Sequence, residues 1–517
     1  MAYTVETLIR KRIKNGGSVI TQGNDIIETS KKSTLTDCRK YLHEFNDEFR
    51  HLGHQEKQER RKAKIYEYVM NVRPLTAGFL TEDKQLDTQA LMEWLINEIT
   101  DRGILTTALN DPTVNEIRIN ERDIWLEKLG RFVPYTDING DRIRFDSPTQ
   151  QQTLFNKLLG DNVRLSGTHQ LVSASTDEGY RVAAIHETAI GTDPLRPYTE
   201  RYGSIVLRKF QTHKFELPEI VLHGTISDSM AKFFTMFTRG GIPWVTVGPT
   251  ASGKTTTNNA ILIKMPYNKR LVILQNPSEI DGRQRDLAGN VINDVVHLEA
   301  NDVDDGNMDA EKATMENLLN QLLRISPYMV CVGELRTNGE FKRGMKVALA
   351  GHPLNCTYHA EDARIAISRY LTAYLAESPN EPPHIALESL TQALKIIIVQ
   401  RIMEDGTRRV LQVTEVLGVD PENPNEPILK DIFRFVQEDE SDVDENGNVL
   451  KIYGSHKRVG AISPYLIDKL KLMGVPRSQY DFLTKEPELD KNGSYIENET
   501  YTGKIDFDFV NKRYIAA

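Results

Sequence analysis

The stretch Gly248-Pro249-Thr250-Ala251-Ser252-Gly253-Lys254-Thr255 carries the clearest chemistry in the chain. It fills the pattern GxxxxGK[ST] at every position. Glycine at both ends lets the backbone fold inward, so that several N–H groups face one anion. A helix beginning at Lys254 would add the positive end of its dipole. The Lys254 ammonium can then reach the outer phosphates of a nucleoside triphosphate, and the Thr255 hydroxyl, with Thr256 behind it, stands where a Mg²⁺ ligand belongs. This works only between a strand and a helix. The apolar run Trp244 to Val247 precedes the loop and a helix is expected from Lys254 to about Ile263, so a phosphate cradle is expected here.

A cradle names the ligand class but not the job. Downstream, Met329-Val330-Cys331-Val332 is an apolar run leading through Gly333 to Glu334. In a parallel sheet, ligands gather at the carboxyl edge of the strands, so an acid at that edge faces the phosphates. Glu334 is therefore the candidate for the metal shell or its waters. The run Gly351-His352-Pro353-Leu354-Asn355-Cys356-Thr357-Tyr358-His359 predicts another strand ending near Thr357, which leaves His359 at the same edge. An imidazole there can sense the γ-phosphate, or it can be structural. Cys356 and His359 have the types for half a metal site, yet no second pair is spaced to complete one.

These groups need a framework, and the composition says which kind. The chain has 517 residues, 39% hydrophobic and 26% charged, with a formal charge of −9. That is ordinary for a folded protein of roughly three domains and unlike a disordered or fibrous chain. The acidic balance argues against a global grip on nucleic acid. Three cysteines, Cys38, Cys331 and Cys356, with no CxxC pair, allow neither a disulfide framework nor a four-cysteine zinc site. The start lacks the apolar core of a signal peptide and no stretch is long and apolar enough to span a bilayer. The expected setting is a reducing cytoplasm, with only peripheral membrane contact.

Along the chain, residues 1–84 read as a helical extension. Its mixed-charge run Glu56 to Lys64 is expected to be a solvated face or a docking arm. Leu91, Leu95 and Ile96 predict a helix within Asp87 to Thr107. Alternation near Ile117, Ile119, Ile124 and Leu126, with turn residues at Asp111-Pro112 and Gly130, predicts paired strands. A helix over Gln150 to Leu159 and strands at Leu171 to Ala174, Arg181 to Ile185 and Ser204 to Leu207 complete a small α+β domain, 85–210. Residues 211–225 read as a linker. Residues 226–436 change grain: short apolar runs alternate with helical lengths, the mark of a parallel sheet buried on both faces. Ile396 to Val416 holds two apolar runs joined by Asp405-Gly406, a hairpin signal. Residues 437–517 form a C-terminal extension. Within it, Asp442-Val443-Asp444-Glu445-Asn446-Gly447 begins like a calcium loop, but Tyr453 stands where a bidentate Glu is needed. Strands around an Asn446-Gly447 turn are the better expectation. The acidic stretch Asn301 to Asp309 reads as a solvated loop.

Taken together, GPTASGKTT from Gly248, LVILQNPSEI from Leu271, LLRISPYMVCVGELR from Leu322 and AGHPLNCTYHAEDA from Ala350 resemble, in order and spacing, the Walker A, Asp-box, Walker B and His-box segments of the type II and type IV secretion ATPase superfamily. The likeness reaches outward over roughly residues 85 to 480. DPTVNEIRIN with IWLEKLGRF resembles the family's N-terminal domain, and IIIVQRIMEDGTRRVLQVTEV its C-terminal part. The branch it is most similar to contains the Tad-pilus, archaeal-flagellum and conjugation-type motors. The resemblance implies an α/β fold: a RecA-like P-loop NTPase domain preceded by a smaller α+β domain. It also implies a cytoplasmic ring, a homohexamer, that binds ATP and Mg²⁺ and works with inner-membrane platform or secretion-channel proteins.

It implies roles as well. Gly248 to Thr256 hold the nucleotide, Thr255 and Glu334 serve the metal, and Glu279 polarises the attacking water. His359 senses phosphate. Arg208, with Arg181 as a second candidate, is supplied to a neighbouring subunit's nucleotide. Three positions depart from the pattern. Gln275 and Asn276 stand where the family usually has Glu-Asp, which leaves Glu279 as the one carboxylate of that box. Thr337 stands where an acid often follows the arginine. A nucleotide-gated scaffold with little hydrolysis therefore stays open, as do a P-loop kinase and a DNA helicase.

Overall fold

The computed structural model describes residues 19–45, 54–74, 76–81, 85–100, 102–128, 131–159, 165–176, 180–191, 201–209, 214–276, 279–300, 313–489, 505–508 and 513–516. The chain divides into two compact units, Met1–His213 and Lys214–Ala517. The acidic stretch at 301–309 lies outside the described residues.

The first unit begins with helices α1 (Val19–His43), α2 (His54–Val72) and α3 (Thr88–Thr100). They share one core, which buries Cys38, Ile65, Val69, Leu91 and Leu95. The expected border at residue 84 falls inside that cluster. Of the charge run on α2, Glu59, Arg60 and Lys62 are exposed as a solvated face requires, whereas Arg61 is buried. The helical pattern expected through Thr107 is interrupted: Gly103–Leu105 is a 3-10 turn and α4 covers Thr106–Asn110. Gly103 has φ +52°, which a continuing right-handed helix does not permit.

Strands β1 (Val114–Asn120), β2 (Asp123–Lys128), β3 (Arg131–Pro134), β4 (Leu171–Ser175), β5 (Arg181–Ile185) and β6 (Ser204–Arg208) follow, with α5 (Pro148–Leu159) between β3 and β4. They make an antiparallel sheet in the order β3-β2-β1-β6-β5-β4. Ile117, Ile119, Ile205 and Leu207 point one way and pack with Leu154, Phe155 and Leu158 of α5, the result of a period-two strand meeting a 3.6-period helix. The register sets Arg181 opposite Arg208, and Arg208 opposite Glu116. Like charges directly opposite cost stability, so this pair is held at some expense.

The second unit is built on a nine-stranded sheet. After α6 (Leu217–Leu222) and α7 (Asp228–Arg239) come β7 (Trp244–Val247), α8 (Lys254–Leu262), β8 (Leu271–Gln275), β9 (Val295–Glu299), α9 (Met315–Gln321), β10 (Met329–Val332), α10 (Asn338–Leu349), β11 (Leu354–Tyr358), α11 (Ala363–Ala376) and α12 (Pro383–Ala393). The chain closes with β12 (Ile396–Ile402), β13 (Arg408–Val419), β14 (Pro427–Val443), β15 (Val449–Arg458) and α13 (Pro464–Leu472). The sheet order is β15-β14-β13-β12-β7-β11-β10-β8-β9. From β12 to β9 neighbours are parallel, and from β12 to β15 antiparallel. Alternate residues of one strand enter opposite cores: Val245 and Val247 join one cluster with α9 to α12, and Trp244 joins another with α6, α7, α8 and α13. The apolar runs are therefore buried on both faces, a RecA-like α/β architecture with the P-loop strand at its centre.

Two stretches differ from expectation. Residues 217–222, inside the expected linker, form α6, because Glu216 and Glu219 make a reciprocal capping box and Leu217 and Ile220 are buried. The chain beyond 437 also joins the domain: β14 continues to Val443 and pairs with β15, and Leu466 and Leu470 of α13 enter the second core. The Asp442–Gly447 stretch is the hairpin turn, closed by Asp444 Oδ1 accepting from the N–H groups of Asn446 (2.9 Å) and Asn448 (2.8 Å).

His456 on β15 sits beneath this hairpin region with Nε2 3.0 Å from the Val410 carbonyl. Burial outweighs that hydrogen bond and lowers its pKa from 6.5 to about 4. A base whose folded pKa is depressed stabilises the fold above its unfolded pKa and loses that contribution as pH falls towards the folded value. Between pH 7 and pH 5 the fold is expected to lose on the order of 2 kcal/mol through this group. His456→Gln, which keeps a donor but cannot titrate, should flatten the slope of the urea midpoint against pH over that range.

Candidate functional site

Parallel pairing aligns the carboxyl ends of four strands. Val247 is in register with Tyr358, and Val332 with Cys356 and Leu274. The next residues, Gly248, His359, Gly333-Glu334 and Gln275, therefore share one edge. At Gly248 the φ is +151° and an added Cβ would stand 1.9 Å from the Gln400 carbonyl oxygen, while Gly253 has φ +92° and lies 2.9 Å by the same measure from Gln400 Nε2. Only glycine fits either place, so β12 dictates the two glycines that flank the loop. Arg408 of β13 adds a hold from the same side: its Nε donates to the Ala251 carbonyl at 3.0 Å.

The titratable groups meet at the loop's first carbonyl. Lys254, 8% exposed, donates from Nζ to Gly248 O (2.9 Å) and Pro249 O (2.8 Å). His359 Nδ1 stands 3.0 Å from the same Gly248 oxygen, and its Nε2 3.1 Å from Glu334 Oε1. Both partners of the ring are acceptors, so both contacts are hydrogen bonds only when both nitrogens carry protons. Glu334 Oε2 accepts from Arg336 Nε at 2.7 Å. Burial would raise the Glu334 pKa, but the Arg336 hydrogen bond and the charges of Arg336, His359 and Lys254 outweigh it and hold the carboxyl below its usual range. Pro249, Thr250 and Ala251 face solvent and Ser252 is buried, its hydroxyl donating to Pro249 O at 2.9 Å. Thr255 and Thr256, partly buried, begin α8. Positive-φ glycines, a helix N-terminus, a buried ammonium bonded to loop carbonyls and a hydroxyl on the first helical turn make a donor set that fits a triphosphate with Mg²⁺.

Residues 100–444 match the family model described as Type II/IV secretion system protein. The chain belongs to the type II/IV secretion system protein family. It is similar to MJ0900, an uncharacterized protein of Methanocaldococcus jannaschii, at 27% identity over 265 residues, which is 51% of this chain and 43% of that protein. The chain thus aligns with less than half the length of that relative. It is also similar to the probable conjugal transfer protein TrbB of Sinorhizobium fredii, at 25% identity over 318 residues, 60% of this chain and 86% of TrbB. Among solved structures, the Legionella pneumophila ATPase DotB aligns with a TM-score of 0.42 and 19% identity, covering 61% of this chain and 79% of DotB.

Two of the three departures from the secretion-family pattern have structural explanations. Gln275, 3% exposed, uses both ends of its amide. Oε1 accepts from the N–H groups of Glu279 and Ile280, each at 2.9 Å, and Nε2 donates to Ile280 O at 2.8 Å. A carboxylate could accept the first two bonds but would face the Ile280 carbonyl with an oxygen. Gln275→Glu is therefore expected to destabilise by about 1–3 kcal/mol, read as a lower urea midpoint at unchanged slope. Thr337 is the N-cap of α10. Its hydroxyl accepts from Glu340 N (3.3 Å), and Glu340 Oε2 accepts from Thr337 N (3.3 Å) and Arg336 N (2.6 Å). The same cap that starts α10 fixes the backbone beside Glu334.

Lys254, His359 and Glu334 are thus brought together. Glu279 lies on the loop after β8 and is fixed by its backbone, its N–H on Gln275 and its carbonyl on Lys214 Nζ at 2.8 Å. Arg181 and Arg208 belong to the other unit and stand side by side there. Sequence reasoning missed Asn259 on α8, 3% exposed, whose Oδ1 accepts from the N–H groups of Asp281 (2.9 Å) and Gly282 (3.0 Å). It ties the Glu279 loop to the P-loop helix. The adjacent asparagines Asn258-Asn259, just before the apolar run Ala260 to Leu262, were the available signal. Lys214 and Arg408 offered none.

Proposed function

We propose that this chain is a Mg²⁺-dependent ATPase that assembles as a homohexameric ring and powers a type IV secretion, conjugation or pilus machine from the cytoplasmic face of a membrane. The observation that carries the reading is that Lys254 and His359 meet at the Gly248 carbonyl and His359 joins Glu334, on the edge where α8 begins. No described helix is long and apolar enough to cross a membrane, so contact with a membrane platform would be peripheral.

In this reading Lys254 exchanges the Gly248 and Pro249 carbonyls for the β- and γ-phosphate oxygens, and the N–H groups at the start of α8 hold the β-phosphate. Thr255 would hold Mg²⁺ directly and Glu334 its waters; when bound, the ion neutralises charge on the phosphate oxygens. Glu279 orients the attacking water and takes its proton as the γ-phosphate parts from ADP. His359, released from Gly248 or held to it, reports whether the γ-phosphate is present. Arg208 and Arg181 supply positive charge to a neighbouring subunit's nucleotide. ATP and ADP must favour different arrangements of the two units for work to be done.

The amide of Gln275 is committed to backbone groups, which leaves Glu279 as the carboxylate of its box and gives weight to a second reading, a nucleotide-gated scaffold. Phosphate release by the purified full chain with MgATP separates the two. The motor reading expects saturable turnover that disappears on chelation. Tight ATP binding without release would defeat it and leave the scaffold.

A further inference from the structure

Lys214 and Glu216 tie the start of the second unit to the loop after β8 and to the end of the P-loop helix. Lys214 is the first residue of the second unit, and its Nζ donates to the Glu279 carbonyl at 2.8 Å. Two residues on, Glu216 pairs with Lys264 Nζ at 2.6 Å, just past the end of the P-loop helix α8. Phe215 packs edge-on against His223 at 5.4 Å between ring centres, and the Glu216–Glu219 capping box stiffens the turn into α6. Burial lowers the pKa of the Lys214 ammonium, and the charges of Asp281 and Glu279 oppose that.

Gln275, Asn259, Asn293 and Lys214 bond the backbone of the loop from Glu279 to Gly282. Gln275 ends β8 and Asn259 sits on α8, so both move with the sheet and the P-loop helix. Of these, Lys214 bonds the Glu279 carbonyl from the first residue of the second unit.

We propose that Lys214 is a positioning residue for Glu279, holding the backbone of the candidate base through the Glu279 carbonyl. This rests on Glu279 being that base. The Glu279 carbonyl and carboxylate share one Cα, so the bond that fixes the carbonyl also narrows where the carboxylate can stand. Misplacing a reacting group by about 1 Å costs roughly 10²-fold in rate.

The test is a set of full-length variants: Lys214→Met, which keeps the stem and removes the donor, Lys214→Arg, which keeps donor and charge, Glu279→Gln, and Lys214→Met combined with Glu279→Gln. Phosphate release and binding of a fluorescent ADP are measured for each. Lys214→Met is expected to lower kcat about ten- to a hundredfold with KM for ATP and ADP affinity within about twofold, and Lys214→Arg to recover most of the loss. In the Glu279→Gln background, Lys214→Met should have no further effect, because its influence passes through Glu279. Normal kcat in Lys214→Met, loss of ADP binding in that variant, or an equal further loss in the Glu279→Gln background each overturns the proposal while Glu279 remains the base. Normal turnover in Glu279→Gln itself overturns the base assignment and this inference with it.

Discussion

Lys254→Ala is expected to abolish measurable turnover, a fall of at least about 10²–10³-fold, the cost of removing one preorganised charge from developing phosphate charge. Nucleotide binding should fall with it, because the ammonium acts on bound phosphates before and during the reaction. A wild-type chain at a hundredfold excess of MgADP over its Kd gains about 2.7 kcal/mol of stability; the variant should show no such thermal shift. The unliganded fold should also weaken, by on the order of 1–3 kcal/mol, since Nζ is the donor for both Gly248 O and Pro249 O. Turnover within a few-fold of wild type would remove the phosphate cradle from the account.

Glu334→Gln is the complementary case. Its expected result is a kcat lower by about 10²–10⁴-fold with ATP affinity within a few-fold, because the amide still accepts hydrogen bonds but no longer offers charge to a metal-bound water. ATP should therefore accumulate on the variant, and filter-binding of radiolabelled ATP reads that directly. A second signature comes from titration. The Glu334 carboxyl is held below its ordinary value of 4.5, so its pairing with Arg336 and His359 stabilises the fold above that value and is lost as pH falls through the lowered one. Glu334→Gln should remove that part of the acid sensitivity. Equal loss of kcat and of ATP affinity would instead assign Glu334 to ground-state binding.

The strands and helices around the P-loop were legible for one physical reason. Strands buried on both faces must be apolar throughout, so Trp244–Val247, Leu271–Leu274 and Met329–Val332 announce themselves, and glycine spacing marks the turn between strand and helix. The helical stretch from Asp87 was harder, because Gly103 breaks it in a conformation that composition does not reveal. Helix α6 went unread as a linker because its six residues are too few for a 3.6-residue period to show. The C-terminal stretch reads as acidic and polar on the surface of β14, yet the same strand supplies Phe433 to the core.

The secretion-family motifs named Lys254, Glu334 and His359, but motif order cannot say that Lys254 and His359 share the Gly248 carbonyl or that His359 joins Glu334. That follows from strand order β12-β7-β11-β10-β8, which brings to one edge residues far apart in the chain. Likewise, Gln275 looked like a lost charge in the sequence and is, in the fold, a two-ended clamp on the Glu279 loop.

By itself, then, the sequence determined the presence of a phosphate-binding turn, the parallel character of its sheet and the residues able to serve it, because each depends on neighbours within a few positions. Only the tertiary structure decided what holds those residues in place: Asn259, Arg408 and Lys214 act on partners that the fold alone brings within 3.0 Å. A hydrogen bond needs two groups at one distance and angle, and for Asn259, Arg408 and Lys214 that partner lies many residues away along the chain.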